Sequence, residues 1–213
     1  MQKTKVVHLT IVHKRYDSRI FCKECISLSE AGYDVSLIVA DGLGNETKQG
    51  VKIIDVGRAE ASRIKRMIRT SRKAVDLALG MNADIYHFHD PDLLIEALRL
   101  RKKACVIFDS HEDFPALMKQ RDYIPDFARK VLFRLCTLIE KYSAKRLSAV
   151  VCATETIQDK FARYGNIRAV VVKNYPVFSS CESETTNSYD TTKPVCYVGG
   201  LTALRGVKEM VEA

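Results

Sequence analysis

Histidines and carboxylates are concentrated in three short polar stretches of this chain. Imidazole and carboxylate groups can act as general bases and accept hydrogen bonds from substrate hydroxyl groups, and arginine can bind phosphate. Four of the five histidines lie in these stretches, which favours a shared chemical role over chance scatter. The residues are His13, Asp17 and Arg19; His87, His89, Asp90 and Asp92; and Asp109, His111 and Glu112.

Each polar residue also has a structural interpretation. Asp17 either caps a helix that begins near Arg19 or contacts a substrate. His87 either points into the core or shares a strand face with the site, and Asp92 fits the first turn of a helix. His111 is harder to explain by packing, because the run 109–112 is too polar for a core. We therefore predict an active-site role for His111.

A metal centre is a second interpretation of the histidines. The pattern His87-x-His89, with Asp90 and His111, resembles ligand sets of zinc proteins. However, no further ligand set is evident, and the sheet pattern is not that of a barrel. The one C-x-x-C pattern, Cys22–Cys25, has no second pair and fits packing on a helix. We therefore predict no bound metal.

The elements that must position these residues alternate between strand and helix. Each strand is an unbroken apolar run, which is typical of a parallel sheet covered on both faces. We predict an α/β fold, a doubly wound parallel sheet of the Rossmann-like type. The strands are predicted at 6–12, 34–40, 51–56, 84–88, 104–108, 150–153 and 169–172, and the helices at 20–31, 61–79, 92–101, 126–147 and from 156.

The placement of the polar stretches agrees with this fold. Each one follows a predicted strand, and ligands of open parallel sheets gather outside the carboxyl ends of the strands. Strands of a parallel sheet end at one edge, so the three stretches are expected to meet there. The sequence therefore predicts one cleft at that edge.

A change in composition divides the chain. Eight of the fifteen residues at 179–193 are Ser or Thr, which indicates a linker. Beyond it a strand at 194–198, a Gly199-Gly200 turn and a helix at 207–213 are predicted. We therefore predict a domain at 1–178, a linker at 179–193 and the truncated start of a second Rossmann-like domain at 194–213.

Several functional classes are disfavoured. No G-x-G-x-x-G follows the first strand and no P-loop motif occurs, which argues against dinucleotide binding and P-loop phosphoryl transfer. No apolar run approaches the ~20 residues of a membrane span, and the first residues lack the pattern of a signal peptide. We therefore expect a cytoplasmic protein. Nucleic-acid binding is not expected, because the basic residues lie on helices without interleaved aromatic residues.

The net charge of +8 nevertheless indicates an anionic partner. Two predicted helices carry clusters of basic residues. These are either solvated faces or surfaces that dock on an anionic membrane, which leaves open a peripheral location on the inner face of the cell membrane. The clusters are Arg63, Lys65, Arg66, Arg69, Arg72 and Lys73, and Arg129, Lys130, Arg134, Lys141, Lys145 and Arg146.

An ordered series of motifs resembles the bacterial family-four glycosyltransferases, which are retaining enzymes of the GT-B type with two Rossmann-like domains. The resemblance covers nearly the whole chain. The matching motifs are His13-x-x-x-Asp17-x-Arg19-Ile20-Phe21-x-Lys23-Glu24, the runs 87–92 and 109–112, Asn174-Tyr175-Pro176, and Tyr197-Val198-Gly199-Gly200-Leu201 with Arg205-Gly206.

The resemblance implies transfer of a sugar from a nucleotide-sugar donor to a cell-surface polysaccharide or a lipid-linked glycan. It implies no metal, because basic side chains and a helix amino terminus offset the charge of the leaving diphosphate. It implies a catalytic group, an acceptor-binding group and a donor-binding group. These are His111, Asp109 and Glu112; Asp17, Arg19, His89, Asp90 and Asp92; and Gly199, Gly200 and Arg205.

One feature of the family has no counterpart in this sequence. The pair of glutamates that would grip the donor lies far into the second domain, so we expect the isolated chain to have little transferase activity. Two alternatives remain open. One is a sugar-nucleotide epimerase of the same architecture, and the other is a non-catalytic fragment that binds a membrane or a partner chain.

Overall fold

The computed structural model describes residues 3–119, 124–175 and 206–212. The chain divides into two compact units, residues 1–175 and 176–213. In the second unit the described residues form one helix, α7, at Val207–Glu212, where a helix is predicted. The predicted linker, the strand at 194–198 and the donor-binding residues Gly199, Gly200 and Arg205 lie outside the described residues.

The first unit contains eight strands and the helices that connect them. The strands are β1 (Lys5–Leu9), β2 (Asp34–Val39), β3 (Glu46–Lys48), β4 (Val51–Asp55), β5 (Ile85–Phe88), β6 (Cys105–Ser110), β7 (Ala149–Cys152) and β8 (Ala169–Val171). The α-helices are α1 (Ile26–Glu30), α2 (Arg63–Lys65), α3 (Ser71–Met81), α4 (Phe114–Lys119), α5 (Asp126–Ala144) and α6 (Glu155–Arg163).

Helical segments of other types extend this set. Two π-helical segments, Ile20–Cys25 and Arg66–Thr70, lead into α1 and α3 respectively. The predicted helix at 92–101 is instead a pair of 3-10 segments, Pro91–Leu93 and Glu96–Lys102. Gly32 follows α1 with a φ of +93°, a conformation that glycine adopts without strain, so the helix ends there as predicted.

The strands form one sheet in the order β3-β4-β2-β1-β5-β6-β7-β8. All neighbouring strands are parallel except β3 and β4. The doubly wound prediction is therefore confirmed, and the fully parallel sheet is wrong only at the β3 edge. β3 was not predicted because its three residues, Glu-Thr-Lys, carry no apolar pattern.

The sheet buries apolar side chains on both faces. Along β2, Leu37 belongs to one apolar cluster and its neighbour Ile38 to the other, as expected when successive side chains point to opposite faces. The segment Ile20–Cys25 contributes Ile20 and Phe21 to the cluster on the Leu37 face. Helix α3 packs on the Ile38 face.

The strand order reverses at β1, which lies between β2 and β5. In doubly wound sheets a crevice opens at this switch point, outside the carboxyl ends of the strands. The loops after β1, β5 and β6 border that crevice, and they contain the three polar stretches. Within the described residues, no helix has the length and apolar character required to cross a membrane.

Candidate active site

A layer of polar side chains interrupts the apolar covering of the sheet at the switch point. His8 on β1 lies in register with His87 on β5, and Phe88 beside it packs in the core of the opposite face. Strand alternation therefore places His8, His87, His89 and Asp109 on one face. His8, His89 and Asp109 are at most 2% exposed.

The π-helical segment Ile20–Cys25 covers this polar layer. The amide of Glu24 donates to the carbonyl of Arg19 at 3.0 Å, a hydrogen bond with the five-residue spacing of a π-helix. The two side chains consequently lie together, with Arg19 Nε 3.1 Å from Glu24 Oε1. Insertions of this type are frequent at functional sites.

One buried carboxylate, Asp109, joins the segment to the histidines. Arg19 donates to it from Nε at 2.8 Å and from Nη2 at 2.9 Å. His111 Nε2 lies 2.7 Å and His89 Nδ1 3.2 Å from Asp109 Oδ2. Burial alone would raise the pKa of Asp109, but the hydrogen bonds from His111, His89 and Arg19 hold this pKa well below its ordinary value. Asp109 is therefore a carboxylate that fixes three side chains.

All five histidines of the chain form one continuous cluster. Ring centroids are separated by 4.8 Å for His8 and His87, 5.2 Å for His8 and His89, 5.5 Å for His89 and His111, and 5.4 Å for His13 and His111. Burial lowers the pKa of His8, His87 and His89, and for His87 the pKa falls to about 3. The inner three imidazoles are therefore neutral at physiological pH.

Glu24 is the buried acid whose hydrogen bonding is incomplete. Burial, followed by the neighbouring Asp109 carboxylate, raises the pKa of Glu24 to about 9. Both carboxyl oxygens of Glu24 lack a hydrogen-bond partner among the described residues, as do Nε2 of His8 and Nε2 of His87. Such groups are rare in folded proteins, because an unpaired buried polar atom costs about 1–3 kcal/mol.

Asp90 organises the loop after β1. Its Oδ2 accepts hydrogen bonds from Thr10 Oγ1 at 3.0 Å, the amide of Ile11 at 2.5 Å and the amide of Val12 at 3.2 Å. Its Oδ1 lies 2.8 Å from His13 Nδ1. This hydrogen bond raises the pKa of His13. The Asp90 carboxylate therefore fixes the position of His13, and both of its oxygens are already hydrogen bonded to protein groups.

Two cavities meet at His111. His111 lines both a cleft of about 510 Å³ and a pocket of about 180 Å³. The larger cleft is lined by Asp17, Ser18, Arg19, His111, Ala153, Thr154, Glu155, Lys173, Asn174 and Tyr175. The smaller pocket is lined by His13, His89, Pro91, Phe108, Ser110, His111, Glu112, Phe114 and Leu117.

The structure brings most of the predicted site residues together. The Asp17 Oδ1 accepts hydrogen bonds from the amides of Arg19 and Ile20, which agrees with the capping interpretation. Asp17 also borders the cleft, and its contact with a substrate stays a prediction. Glu112 borders the smaller pocket as an exposed side chain. His89 reaches that pocket but is itself buried.

Asp92 is placed differently. Its carboxylate binds Arg63 at 3.1 Å and Arg66 at 2.8 Å, and it borders neither cavity. It is nearly buried because these two guanidinium groups cover it. Asp92 therefore joins the helical segments after residue 63 to the loop after β5, and its predicted contact with an acceptor gains no support from this geometry.

Sequence reasoning did not select His8, Glu24 or Thr154 as site residues. His8 lies inside an apolar run and Glu24 inside a helix, so neither stands in a polar stretch. Thr154 caps α6 at the edge of the cleft by accepting a hydrogen bond from the amide of Ile157. The feature that points to His8 is the strand register, which aligns it with His87.

Among the residues that the structure describes, two groups of side chains have the ligand types and proximity for a metal ion. One comprises His8, Glu24, His87 and His89, and the other His89, Asp109 and His111. The ligands suggested by the sequence, His87, His89, Asp90 and His111, do not form one group in the structure. His87 belongs to the first group and His111 to the second, while Asp90 turns toward His13.

A doubly wound sheet with a polar cleft at its switch point is the architecture of a GT-B domain, and solved structures agree with this. Sucrose-phosphate synthase from Thermosynechococcus elongatus superposes with a TM-score of 0.59 at 11% identity, covering 80% of this chain and 48% of that chain. A second structure of the same name gives 0.54 at 12% identity, covering 80% and 88%. This chain therefore spans about half the length of the first relative.

The sequence comparison identifies the family. The sequence model described as Glycosyltransferase Family 4 matches residues 23–174, more than two thirds of the chain. The chain belongs to glycosyltransferase family 4, as the motifs predict. No curated protein sequence matches it.

The buried ion pair between Arg19 and Asp109 yields a stability prediction. Replacing Asp109 with Asn leaves the 4% exposed Arg19 without its counter-charge, so we expect the free energy of unfolding to fall by about 3–5 kcal/mol in urea denaturation. The matched control is Asp76→Asn, which removes an exposed ion pair with Arg99 and is expected to cost less than about 1 kcal/mol. Equal losses for the two variants would contradict this description of the site.

Proposed function

We propose that the protein carrying this chain transfers a sugar, with retention of anomeric configuration, from a nucleotide-sugar donor to a hydroxyl group of a cell-surface polysaccharide or lipid-linked glycan. The observation that carries the proposal is the position of His111 at the junction of two cavities, fixed from behind by Asp109. Membership of family 4 supports sugar transfer in general.

The two cavities suit two different substrates. The smaller pocket is lined by the imidazoles of His13 and His111, beside the apolar side chains of Phe108 and Phe114. This combination suits a sugar ring, which offers hydroxyl groups at its edge and C–H groups on its faces. We therefore assign the acceptor to the smaller pocket and the transferred sugar to the larger cleft. In this assignment Asp17 and Arg19, which the resemblance places on the acceptor side, border the transferred sugar instead.

His111 is proposed to orient the transferred sugar. Its Nε2 is occupied by Asp109, which leaves Nδ1 to exchange a hydrogen bond with a sugar hydroxyl. Asp109 acts as a positioning residue, because its oxygens are already engaged by Arg19, His89 and His111. In the transfer the acceptor oxygen bonds to the anomeric carbon, the bond from that carbon to the diphosphate breaks, and the hydroxyl proton leaves with the diphosphate.

The donor diphosphate is assigned to the Gly199-Gly200 turn and Arg205. A glycine turn lets the backbone approach a pyrophosphate, and an arginine offsets its charge. We propose that these groups stabilise the leaving diphosphate and that no metal ion is needed at that position. The sequence supports this assignment, since the three residues lie in the motif that resembles the start of the donor domain.

A substitution of His111 tests the proposal. We expect His111→Ala to lower the rate of acceptor-dependent nucleoside diphosphate release by about 100-fold or more, because the sugar is no longer held in the orientation that the reaction needs. The protein carrying this chain is assayed with a panel of nucleotide sugars and membrane lipid extract, and the product's anomeric configuration is read by NMR. Lys52→Gln, on an exposed strand position far from the cleft, is the control.

Three outcomes would overturn this proposal. Unchanged turnover in the folded His111→Ala protein would remove His111 from the site. Conversion of one nucleotide sugar into another without an acceptor would identify an epimerase. An inverted product would exclude retention.

We further propose an anionic lipid bilayer as the surface on which the acceptor is met. Helix α5 presents a stripe of exposed apolar side chains, spaced three or four residues apart along one side. The stripe consists of Phe127 at 80% exposure, Val131 at 48%, Leu135 at 50%, Leu138 at 64% and Tyr142 at 50%. An apolar stripe of this length on a surface helix marks an interaction site.

The charges beside the stripe favour an anionic lipid surface. Lys130, Arg134 and Lys145 are exposed along one edge of it. Of the two acidic side chains of α5, Asp126 pairs with Arg129 at the first turn, and Glu140 is buried against Lys160 at 2.9 Å. Basic residues around an apolar face are typical of helices that lie in the membrane interface.

The other predicted basic cluster is less suited to this role. Four of its arginines form ion pairs within the protein, so much of their charge is already compensated. Arg63 and Arg66 bind Asp92, Arg69 binds Glu60 at 3.5 Å, and Arg72 lies 4.0 Å from Asp76. We therefore place the proposed membrane contact on α5.

Vesicle sedimentation tests this surface. We expect binding to vesicles that contain phosphatidylglycerol, weakened about tenfold by Leu138→Gln and about fivefold by Arg134→Gln, because each change removes an inserted side chain or about 1 kcal/mol of attraction. Leu43→Gln, at a leucine that is 73% exposed on a different loop, is the matched control and should bind normally. Equal binding of the Leu138 and Leu43 variants would contradict the assignment to α5.

A further inference from the structure

Four side chains in the polar layer beneath the cleft bring potential metal-ligand atoms close together, and the proposed transfer reaction does not use them. They are His8, Glu24, His87 and His89, and their ligand atoms all lie within 4.8 Å of one another. Three imidazoles and one carboxylate form a ligand set that suits Zn²⁺ and related divalent ions of the first transition series. The group lies between the sheet and the segment Ile20–Cys25.

The distances within the group match a four-coordinate site. Glu24 Oε2 lies 3.9 Å from His8 Nδ1, 3.9 Å from His87 Nδ1 and 3.8 Å from His89 Nε2. His8 Nδ1 and His89 Nε2 are 3.0 Å apart. Around a tetrahedral Zn²⁺ with ordinary bond lengths, neighbouring ligand atoms are about 3.3–3.5 Å apart. The shortest separation, 3.0 Å, is a hydrogen bond between the two imidazoles, and the whole group lies within 4.8 Å, so the side chains must close around the ion and exchange that hydrogen bond for metal coordination.

A second observation points to a cation at this position. Glu24 carries two carboxyl oxygens without a hydrogen-bond partner among the described residues, and its Oε2 is the oxygen that faces the three imidazoles. The nearby Arg19 is already committed to Asp109 through two hydrogen bonds. Glu24 therefore shares the Arg19 guanidinium with Asp109 through its Oε1, which lies 3.1 Å from Arg19 Nε, while its Oε2 faces three imidazoles.

The surroundings of His89 also resemble those of a metal ligand. Its Nε2 faces Glu24 and His8, while its Nδ1 lies 3.2 Å from Asp109 Oδ2. Histidines that bind metal ions usually donate their second ring nitrogen to a carboxylate, which fixes the tautomer and the orientation of the ring. Asp109 supplies that carboxylate here.

We propose that His8, Glu24, His87 and His89 form a structural metal site for Zn²⁺ or a similar divalent ion. All four positions of the ion are filled by protein ligands, so the site is closed and does not activate a substrate. The ion joins β1 and β5 to the segment Ile20–Cys25. Through Arg19 and Asp109 it thereby fixes the position of His111. The proposal concerns metal binding alone and does not depend on the sugar that is transferred.

Cobalt substitution tests the site directly. The full chain is stripped with a chelator and titrated with Co²⁺, whose visible absorption becomes intense in tetrahedral nitrogen and oxygen coordination. We expect one equivalent to bind with a tetrahedral spectrum, Zn²⁺ to displace it, and either ion to raise the melting temperature, because a ligand that binds only the folded state stabilises it. Elemental analysis of the purified chain should find about one zinc per chain.

Variants identify the ligands. His8→Gln and Glu24→Gln should weaken Co²⁺ binding by more than about 100-fold, since loss of even a second-shell partner costs 10–100-fold. His13→Gln, which lies in the same histidine cluster but outside the ligand set, is the control and should keep the spectrum. His111→Gln should also keep it, which separates this site from the group formed by His89, Asp109 and His111.

The wild-type measurement keeps the proposal open to refutation even if a variant fails to fold. Absence of a tetrahedral Co²⁺ spectrum and of stoichiometric metal in the wild-type chain would overturn it. An ordered water would then be the group that satisfies Glu24 and His8. Loss of binding in His111→Gln with retention in His8→Gln would overturn the ligand assignment as well.

Discussion

The guanidinium of Arg19 and the carboxylate of Asp109 form the contact on which the candidate site depends. Asp109 ends a strand of the sheet, while Arg19 begins the helical segment above it, so their two hydrogen bonds join two layers of the fold. The same carboxylate holds His89 and His111. Both charges are buried, so removing one partner leaves the other as an uncompensated buried charge and strongly destabilises the fold. The position of His111 follows from this constraint.

Much of the fold could be predicted because apolar runs and helix end signals are local. The seven parallel strands follow from their apolar runs, and the end of α1 follows from Gly32. The meeting of Arg19, His89, Asp109 and His111 follows from the shared edge at which parallel strands end. β3 and α4 were missed because a three-residue polar strand and a short helix beside a loop leave little pattern. The rule that ligands gather at the carboxyl ends of parallel strands therefore predicted the position of the candidate site better than the apolar runs predicted the number of strands.

The inner part of the site was beyond sequence reasoning for a physical reason. His8 and Glu24 become neighbours only when β1 is aligned with β5 and a π-helical turn shifts the register of the covering helix. That shift places Glu24 beside Arg19 and above His8, His87 and His89. Similarly, the ion pairs of Arg63 and Arg66 with Asp92 appear only in three dimensions, and they change which basic helix is suited to a membrane.

The most direct measurement of the central claim uses the five histidines themselves. A chain labelled with ¹⁵N only at histidine gives a spectrum in which every signal arises from this one cluster. On titration with nucleotide sugars and glycan acceptors, we predict that the ring signals of His111 and His13 shift saturably while those of His8 and His87 move little, because His111 and His13 line the cavities and His8 and His87 do not. If no member of either panel moves any histidine signal, the cluster is not a carbohydrate-binding site.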